Sequence, residues 1–285
     1  MPAAIEPPIE TPRTLSEAYG ILATGPHRPI AGGTDVMVQI TGELGPPPDR
    51  MIDLWRLAEL RGIAADGQVV TLGALTTYTE IRQSAMCREH LPALVEAAAT
   101  IGAAQIQNRG TLGGNAANAS PAGDTLPILL ATDAEIDVGG PRGERTIPAS
   151  DFWVAYRETA LEADEIVLRI RIPITAGREV RFRKIGTRRA QAISKVVMAL
   201  AWRERDGTWS DVRLALGSVA DRPIRARTTE AVLEGASPTS ETADRAADSL
   251  AAEIQPIDDV RSTADYRRAV AARVLHRLIR EAGGW

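Results

Sequence analysis

Two glycine turns carry most of the chemical promise of this chain. In Ala31-Gly32-Gly33-Thr34-Asp35 the missing Cβ atoms allow positive φ and the close approach of a large group. Successive N–H groups there, helped by the Thr34 hydroxyl, can converge on an oxyanion. A helical pattern from Val36 to Ile40 follows and would aim its positive end at the same place. Thr111-Leu112-Gly113-Gly114-Asn115 repeats the device. In a chain with 24 glycines a single GlyGly pair is usually a plain turn, but two such turns suit a pyrophosphate held between two lobes. Ser120-Pro121-Ala122-Gly123-Asp124 adds a carboxylate that would accept from ribose hydroxyls, order its own loop, or cap a helix from Thr125 onward.

Lysine usage marks a further position. Of 33 cationic residues 31 are Arg, and the two lysines, Lys184 and Lys195, lie within one short segment. In such a chain a lysine suggests a site that wants a compact point charge. Other chemistry is poorly supplied: His27, His90 and His276 are isolated, and Cys87 reads as an ordinary thiol. No Gly-x-Gly-x-x-Gly follows a strand, and no P-loop, Gly-x-Ser-x-Gly or His-Glu-x-x-His motif occurs. Acid–base, nucleophilic and metal-dependent hydrolysis have little to stand on. One Cys excludes an intramolecular disulfide and any iron–sulfur cluster or cysteine-rich zinc site held by this chain alone. Such a centre would sit on a partner.

The elements that must position these residues follow from the pattern. A Pro-rich arm precedes a short helix from Ser16 and an extended Arg28–Ala31 segment that runs into the first glycine turn. Strands are expected at Met51–Leu54 and Val69–Leu75, and helices at Thr77–Ser84, from a capping box, and Pro92–Ile101. The polar stretch from Gln105 to Asp124, bordered by apolar segments, reads as an irregular binding loop. β-structure is expected from Glu135 to Ile172, then at Glu179–Lys184 and in a hairpin turning at Asp206-Gly207. The last third reads as helices, the final one packing through Tyr266, Val270, Val274 and Leu278 with its arginines on other faces.

The 285 residues suffice for one large or two to three ordinary domains, and 44% apolar residues with few aromatics imply a core of Ala, Leu, Val and Ile. A net charge of −4 with interspersed basic residues argues against a nucleic-acid partner. No segment reads as a signal peptide or membrane span, so the expected location is the cytoplasm.

At this point the motifs become recognisable as a set. Ala31-Gly-Gly-Thr-Asp-Val-Met-Val-Gln39, Asp53-Leu54 with Leu57–Ile63, Thr111–Asn115 through Ser120-Pro121 and Asp124, Tyr156-Arg157 with Thr159, Glu165–Pro173, Lys184, Arg188-Arg189 and Ile224–Ala226 resemble the FAD-binding subunit of molybdenum-containing hydroxylases. These are the xanthine dehydrogenase and carbon monoxide dehydrogenase relatives, and the resemblance runs in order from about residue 13 to 280. It implies an α+β fold. Residues 1–175 would form a two-lobed FAD-binding domain of the vanillyl-alcohol-oxidase/MurB (PCMH) type, with lobes of about 1–60 and 61–175. Residues 176–285 would form a small α+β C-terminal domain of the carbon monoxide dehydrogenase flavoprotein type.

Carried over by position, the resemblance implies that Pro29, Ile30, Ala31, Gly32, Gly33, Thr34, Asp35 and Val36 wrap the FAD pyrophosphate from one lobe. Thr111, Leu112, Gly113, Gly114 and Asn115 would do so from the other. Asp124 would lie on the ribose-phosphate side, Val167 would line the adenine side through its backbone, and Ile101 would occupy a position where relatives can place an aromatic near the cofactor. Lys184 would reach the isoalloxazine and tune its potential by charge, and the Ile185–Ser194 loop would approach the ring. That loop carries Ala190-Gln191-Ala192 where animal xanthine dehydrogenases carry acidic residues.

No catalytic residue and no metal ligand is implied for this chain. The implied partners are a large molybdopterin-binding subunit and a small 2Fe-2S subunit, with electrons leaving to NAD, O2 or another acceptor. Gly-Gly-Thr-Asp, where the carbon monoxide dehydrogenase branch typically reads Gly-Gly-His-Ser, favours a xanthine dehydrogenase-like or N-heterocycle hydroxylase complex. A carbon monoxide dehydrogenase or aldehyde oxidoreductase subunit is the near alternative. A free-standing FAD oxidoreductase and a cofactor-free assembly subunit are the distant ones.

Overall fold

The computed structural model describes residues 7–42, 44–188 and 191–285. The beginning of the Pro-rich arm, and Arg189 and Ala190 of the 185–194 loop, lie outside the described residues. Among the described residues three larger sheets organise the chain, beside a two-stranded ribbon of Trp153–Ala155 and Glu158–Thr159. A small parallel sheet places Met51–Asp53 between Ile9–Glu10 and Arg28–Ile30. An antiparallel five-stranded sheet has the order Ile63–Ala65, Val69–Gly73, Ile166–Pro173, Glu135–Gly140, Gly143–Pro148. An antiparallel four-stranded sheet joins Arg178–Ile185, Val196–Arg205, Thr208–Gly217 and Ile224–Arg225 in sequence order.

Local chemistry accounts for many of the element boundaries. Thr77 and Glu80 form a reciprocal capping box that starts the Tyr78–Gln83 helix, and Pro92 opens Pro92–Thr100. Asp206 and Gly207 both take positive φ, which matches the twist of the hairpin they close.

The four-stranded sheet is covered on both faces, which is why Val196–Trp202 is buried without alternation. One face, with Phe182, Val197, Ala199, Ala201 and Ala215, shares a core with the helices and five-stranded sheet of the preceding residues. The other, with Met198, Leu200, Trp202, Leu214 and Leu216, packs on the C-terminal helices. Three alanines on the inner face let Leu126–Ala131 come close to the sheet.

Two expectations need correction. The 105–124 stretch is not irregular throughout: it holds the short helices Ala104–Gln107 and Leu112–Asn118. Its polar residues are local caps and braces, since Thr111 Oγ1 accepts from the Gly114 N–H and Gln107 Nε2 donates to the Ile101 carbonyl. The final helix, Ala264–Gly283, packs through part of the expected stripe, Leu278 being buried and Val270 and Val274 lying against the core, but its inward face centres on Arg267, Ala271, Leu275, Leu278 and Ile279 and leaves Tyr266 exposed. The apolar pattern could not foretell that an arginine opens this face. The Arg267 guanidinium donates to the carbonyls of Ser218 and Lys195 and to Asp259, so its burial is compensated.

Because the inner face is filled by alanines, Ala199→Leu is expected to destabilise the whole chain by about 1–3 kcal/mol in chemical denaturation, as overpacking of a closed core does. An unchanged midpoint would show that this interface has slack.

Candidate functional site

A cleft runs along the junction of these layers. Its deep chamber, of about 290 Å³, is walled by Leu54, Leu60, Leu75, Ile166 and Val167 and floored by both glycine turns. A broader chamber of about 850 Å³ is bounded by Ile101, Ser120–Asp124, Lys184 and residues 191–194. Thr34, Asp35, Tyr78, Asn115, Asn118 and Arg157 line both and form the neck between them.

The first turn is shaped by contact. A Cβ on Gly32 would collide with the Arg109 carbonyl, so backbone lies directly on backbone, and Gly33 follows at φ +77°. The N–H groups of Gly32, Gly33, Thr34 and Asp35 have no acceptor among the described residues. A clasp holds this geometry: the Trp55 ring lies between the guanidiniums of Arg61, at 4.5 Å, and Arg109, at 3.9 Å. Arg109 Nε in turn donates to the Gly32 carbonyl at 3.5 Å.

The second turn is a different device from the one expected of it. Thr111–Asn115 is the start of the Leu112–Asn118 helix, and its N–H groups already have acceptors. Leu112 donates to Thr76, Gly113 to the Ala74 carbonyl, Gly114 to Thr111 Oγ1 and Asn115 to the Thr111 carbonyl. No convergent N–H cradle forms there. The turn instead fixes Thr111, Gly113, Gly114 and Asn115 as wall, with the Asn115 amide oriented by Thr125 Oγ1 donating to its Oδ1 at 2.6 Å.

In the broad chamber Lys184 Nζ meets Asp124 Oδ2 at 2.5 Å and the Thr100 carbonyl at 3.3 Å, both side chains being more than nine-tenths buried. Burial pushes the Asp124 carboxyl up, and Lys184 opposes that rise. Among the described residues Asp124 Oδ1 is buried without a close partner, and the Ser194 hydroxyl also favours the carboxylate. Asp124 is not a helix cap, since the Leu126–Ala131 helix has no side-chain cap bond. The C-terminal sheet holds the turn before it: Ser218 N donates to the Pro121 carbonyl and Ser194 Oγ to that of Ala122.

Of the remaining sequence candidates, Pro29, Ala31, Val36 and Val167 line the deep chamber and Ile101 the broad one, whereas Ile30 and Leu112 line neither. Both ring nitrogens of His27 are engaged, by the Gly25 carbonyl and Glu10. His90 lies 3.9 Å from Glu89, and His276 pairs with Asp244 and meets the Trp285 ring edge-on. Cys87 is buried, its thiol pushed up by desolvation. Lys195 lies 4.9 Å from the centre of the Tyr266 ring.

Sequence reasoning singled out neither Tyr78 nor the role of Arg157. Tyr78 is buried at the neck with its ring against Gly110, and desolvation pushes its phenol far up, so it is a neutral hydroxyl. The signal was its place directly after the capping-box Thr77, whose strand-like bridge to Thr111 ties it to the second turn.

Residues 4–175 match the FAD binding domain in molybdopterin dehydrogenase, and residues 181–282 match the CO dehydrogenase flavoprotein C-terminal domain. The chain belongs to the FAD-binding subunits of the molybdenum hydroxylases. Its likeness to the carbon monoxide dehydrogenase medium chain of Hydrogenophaga pseudoflava is 32% identity over 274 residues, covering 95% of each chain. With the xanthine dehydrogenase FAD-binding subunit of Escherichia coli O157:H7 it shares 32% over 283 residues, again 95% of each. A chain in the structure of carbon monoxide dehydrogenase from H. pseudoflava superposes with a TM-score of 0.91 at 33% identity over 95% of both chains. The mixed α+β architecture expected of this flavoprotein subunit is therefore the one found, and the subunit is an oxidoreductase component.

Two outcomes follow for the flavoprotein subunit. Gly32→Ala is expected to lose about 2–3 kcal/mol of stability and most FAD affinity, because the methyl must displace the Arg109 backbone; a wild-type melting curve and FAD titration would refute this. Lys184→Met leaves the Asp124 carboxylate buried and unpaired, an expected cost of about 3 kcal/mol at pH 8. Burial raises the Asp124 carboxyl, so its penalty grows as pH rises through the folded-state value and fades as pH falls and the group protonates. Denaturation at pH 8 and pH 5 should show the deficit shrinking at the lower pH.

Proposed function

We propose that the cleft holds FAD in an extended form, its adenosine end in the deep chamber, its pyrophosphate at the neck and its isoalloxazine in the broad chamber. One observation carries this reading: four adjacent backbone N–H groups lacking acceptors, Gly32 to Asp35, sit where a deep apolar chamber meets a broad one. The walls agree with the load. Leu54, Leu60, Ile166 and Val167 give an adenine an apolar slot, and Tyr78 gives the neck a neutral hydroxyl. Ile101, Asp124 and Lys184 would then border the ring, and Asp124 offsets the Lys184 charge that alone would draw electrons toward it. FAD bound there would accept electrons singly and release them in pairs.

In this reading the chain works beside a molybdopterin-binding large subunit and a 2Fe-2S small subunit, since its single cysteine, Cys87, cannot by itself hold an iron–sulfur cluster. It passes electrons to NAD, O2 or another acceptor and does not touch the organic substrate. The two relatives named above share the same identity with this chain, so the branch rests on Gly32-Gly33-Thr34-Asp35, which favours a xanthine dehydrogenase-like or N-heterocycle hydroxylase complex. Among the described residues no helix is long and apolar enough to cross a membrane, and we place the complex in the cytoplasm. The two structural units are taken as 1–175, with lobes of about 1–60 and 61–175, and 176–285, and buried residues of both belong to one core.

The test is reconstitution of the full chain with FAD. Stoichiometric flavin absorbance is expected, with reduction by hydroxylase substrate only when both partner subunits are present. Rapid reduction of the isolated chain by substrate would sink the electron-transfer role, and absence of any FAD uptake would sink the site.

A further inference from the structure

The neck has an asymmetry that its donors make plain. The first lobe offers four N–H groups with no acceptor among the described residues, whereas the N–H groups of residues 112–115 in the second lobe are all engaged. Whatever the second lobe presents to an anion at the neck must come from side chains. Those lining both chambers are Tyr78, Asn115, Asn118 and Arg157, of which Arg157 alone is a cation.

Arg157 is unusual on three counts. It lies at the tip of the two-stranded ribbon Trp153–Ala155 and Glu158–Thr159, with a backbone φ of 55°. That left-handed conformation is rare for a residue bearing a Cβ, and such strain gathers at ligand sites. It lines both chambers and is therefore at the neck itself. Among the described residues no carboxylate lies within ion-pair distance of its guanidinium, whose Nη1 donates to Asn118 Oδ1 at 3.1 Å. Other arginines of these sheets are matched: Arg145 with Glu165, Arg169 with Asp137 and Glu144, Arg178 with Asp133 and Asp211.

Arg28, on the opposite wall of the deep chamber, is alike: its one described side-chain bond is to Gln39 at 3.5 Å. Both guanidiniums act on the same nearby carboxylate, Asp35. Arg157 at the neck and Arg28 in the adjoining deep chamber thus place two cations around one acidic side chain, Asp35. A dinucleotide pyrophosphate carries two negative charges, which the two guanidiniums would match, leaving the N–H groups of the first turn to orient it.

We propose that Arg157, supported by Arg28 from the deep chamber, is the charged clamp on the pyrophosphate, supplying from the second lobe a cation beside the wall its glycine turn forms. This rests on the flavin reading above. It makes Arg157 a binding residue for dinucleotides generally, selecting them over the corresponding nucleoside or riboflavin.

The test compares the full chain with Arg157→Gly, Arg157→Gln and Arg157→Lys, titrated with FAD, ADP, adenosine and riboflavin. Glycine removes the charge and relieves the left-handed backbone, so the apoprotein should melt at or above the wild-type temperature. FAD and ADP should each bind at least tenfold more weakly to the Gly and Gln variants, with adenosine and riboflavin unchanged. Lysine should restore most of the affinity, and the wild-type preference for ADP over adenosine should fall with added salt. Wild-type affinity for FAD and ADP in Arg157→Gly or Arg157→Gln would overturn the clamp, as would an equal loss for all four ligands. If the unaltered chain takes up neither FAD nor ADP, the flavin site falls and the clamp with it; FAD binding that ignores Arg157 overturns the clamp alone.

Discussion

Gly32 rests on the carbonyl of Arg109 with no room for a side chain between them, and the cleft depends on that contact. It brings a turn of the small parallel sheet against the loop that leads into the Leu112–Asn118 helix, so the two glycine turns become opposite sides of one neck. The Trp55 ring between Arg61 and Arg109 and the Arg109 bond to Gly32 hold the approach from the side. With the backbones this close the two turns need not do the same work. One leaves its N–H groups without acceptors, and the other spends them on Thr76, Ala74 and Thr111.

The C-terminal sheet is part of the same construction. Its inner face shares a core with the preceding residues, and its strand ends reach the cleft. Ser218 and Ser194 hold the Ser120–Asp124 turn by its carbonyls, and Lys184 enters from the edge strand Arg178–Ile185 to meet Asp124. Arg267, buried in the last helix, ties the next turn through the carbonyls of Lys195 and Ser218. The broad chamber is therefore a junction feature, and its buried ion pair leaves that wall close to neutral. Such a pair costs desolvation on both members, and it is kept where geometry rather than stability is at stake.

The sequence made the order of strands and helices largely legible because caps and turns are local. Thr77 with Glu80, Pro92, and Asp206-Gly207 each act within four residues, and the structure uses all three. It failed where a distant partner decides the answer. Arg267 is buried at the start of Ala264–Gly283 because two remote carbonyls and Asp259 accept from it, which the pattern of apolar residues cannot reveal. The polar run from Gln105 to Asp124 looked like a loop, yet its side chains cap and brace two short helices.

What the sequence by itself determined is the inventory: two glycine turns, a single cysteine, two lysines among 31 arginines, and motifs in family order. The first three are composition and spacing, and the single cysteine excludes an iron–sulfur cluster held by this chain alone; it is the family resemblance of the motifs that implied FAD. Only the tertiary structure decided how the inventory is used. Whether an N–H is free to bind an anion depends on whether some remote carbonyl has already taken it, as Ala74 and Thr76 take those of Gly113 and Leu112. Whether a lysine is a naked charge depends on whether a carboxylate sixty residues away is folded against it, as Asp124 is against Lys184. Hydrogen bonds and ion pairs act over a few ångströms of space, and the chain order alone does not say which groups come that close.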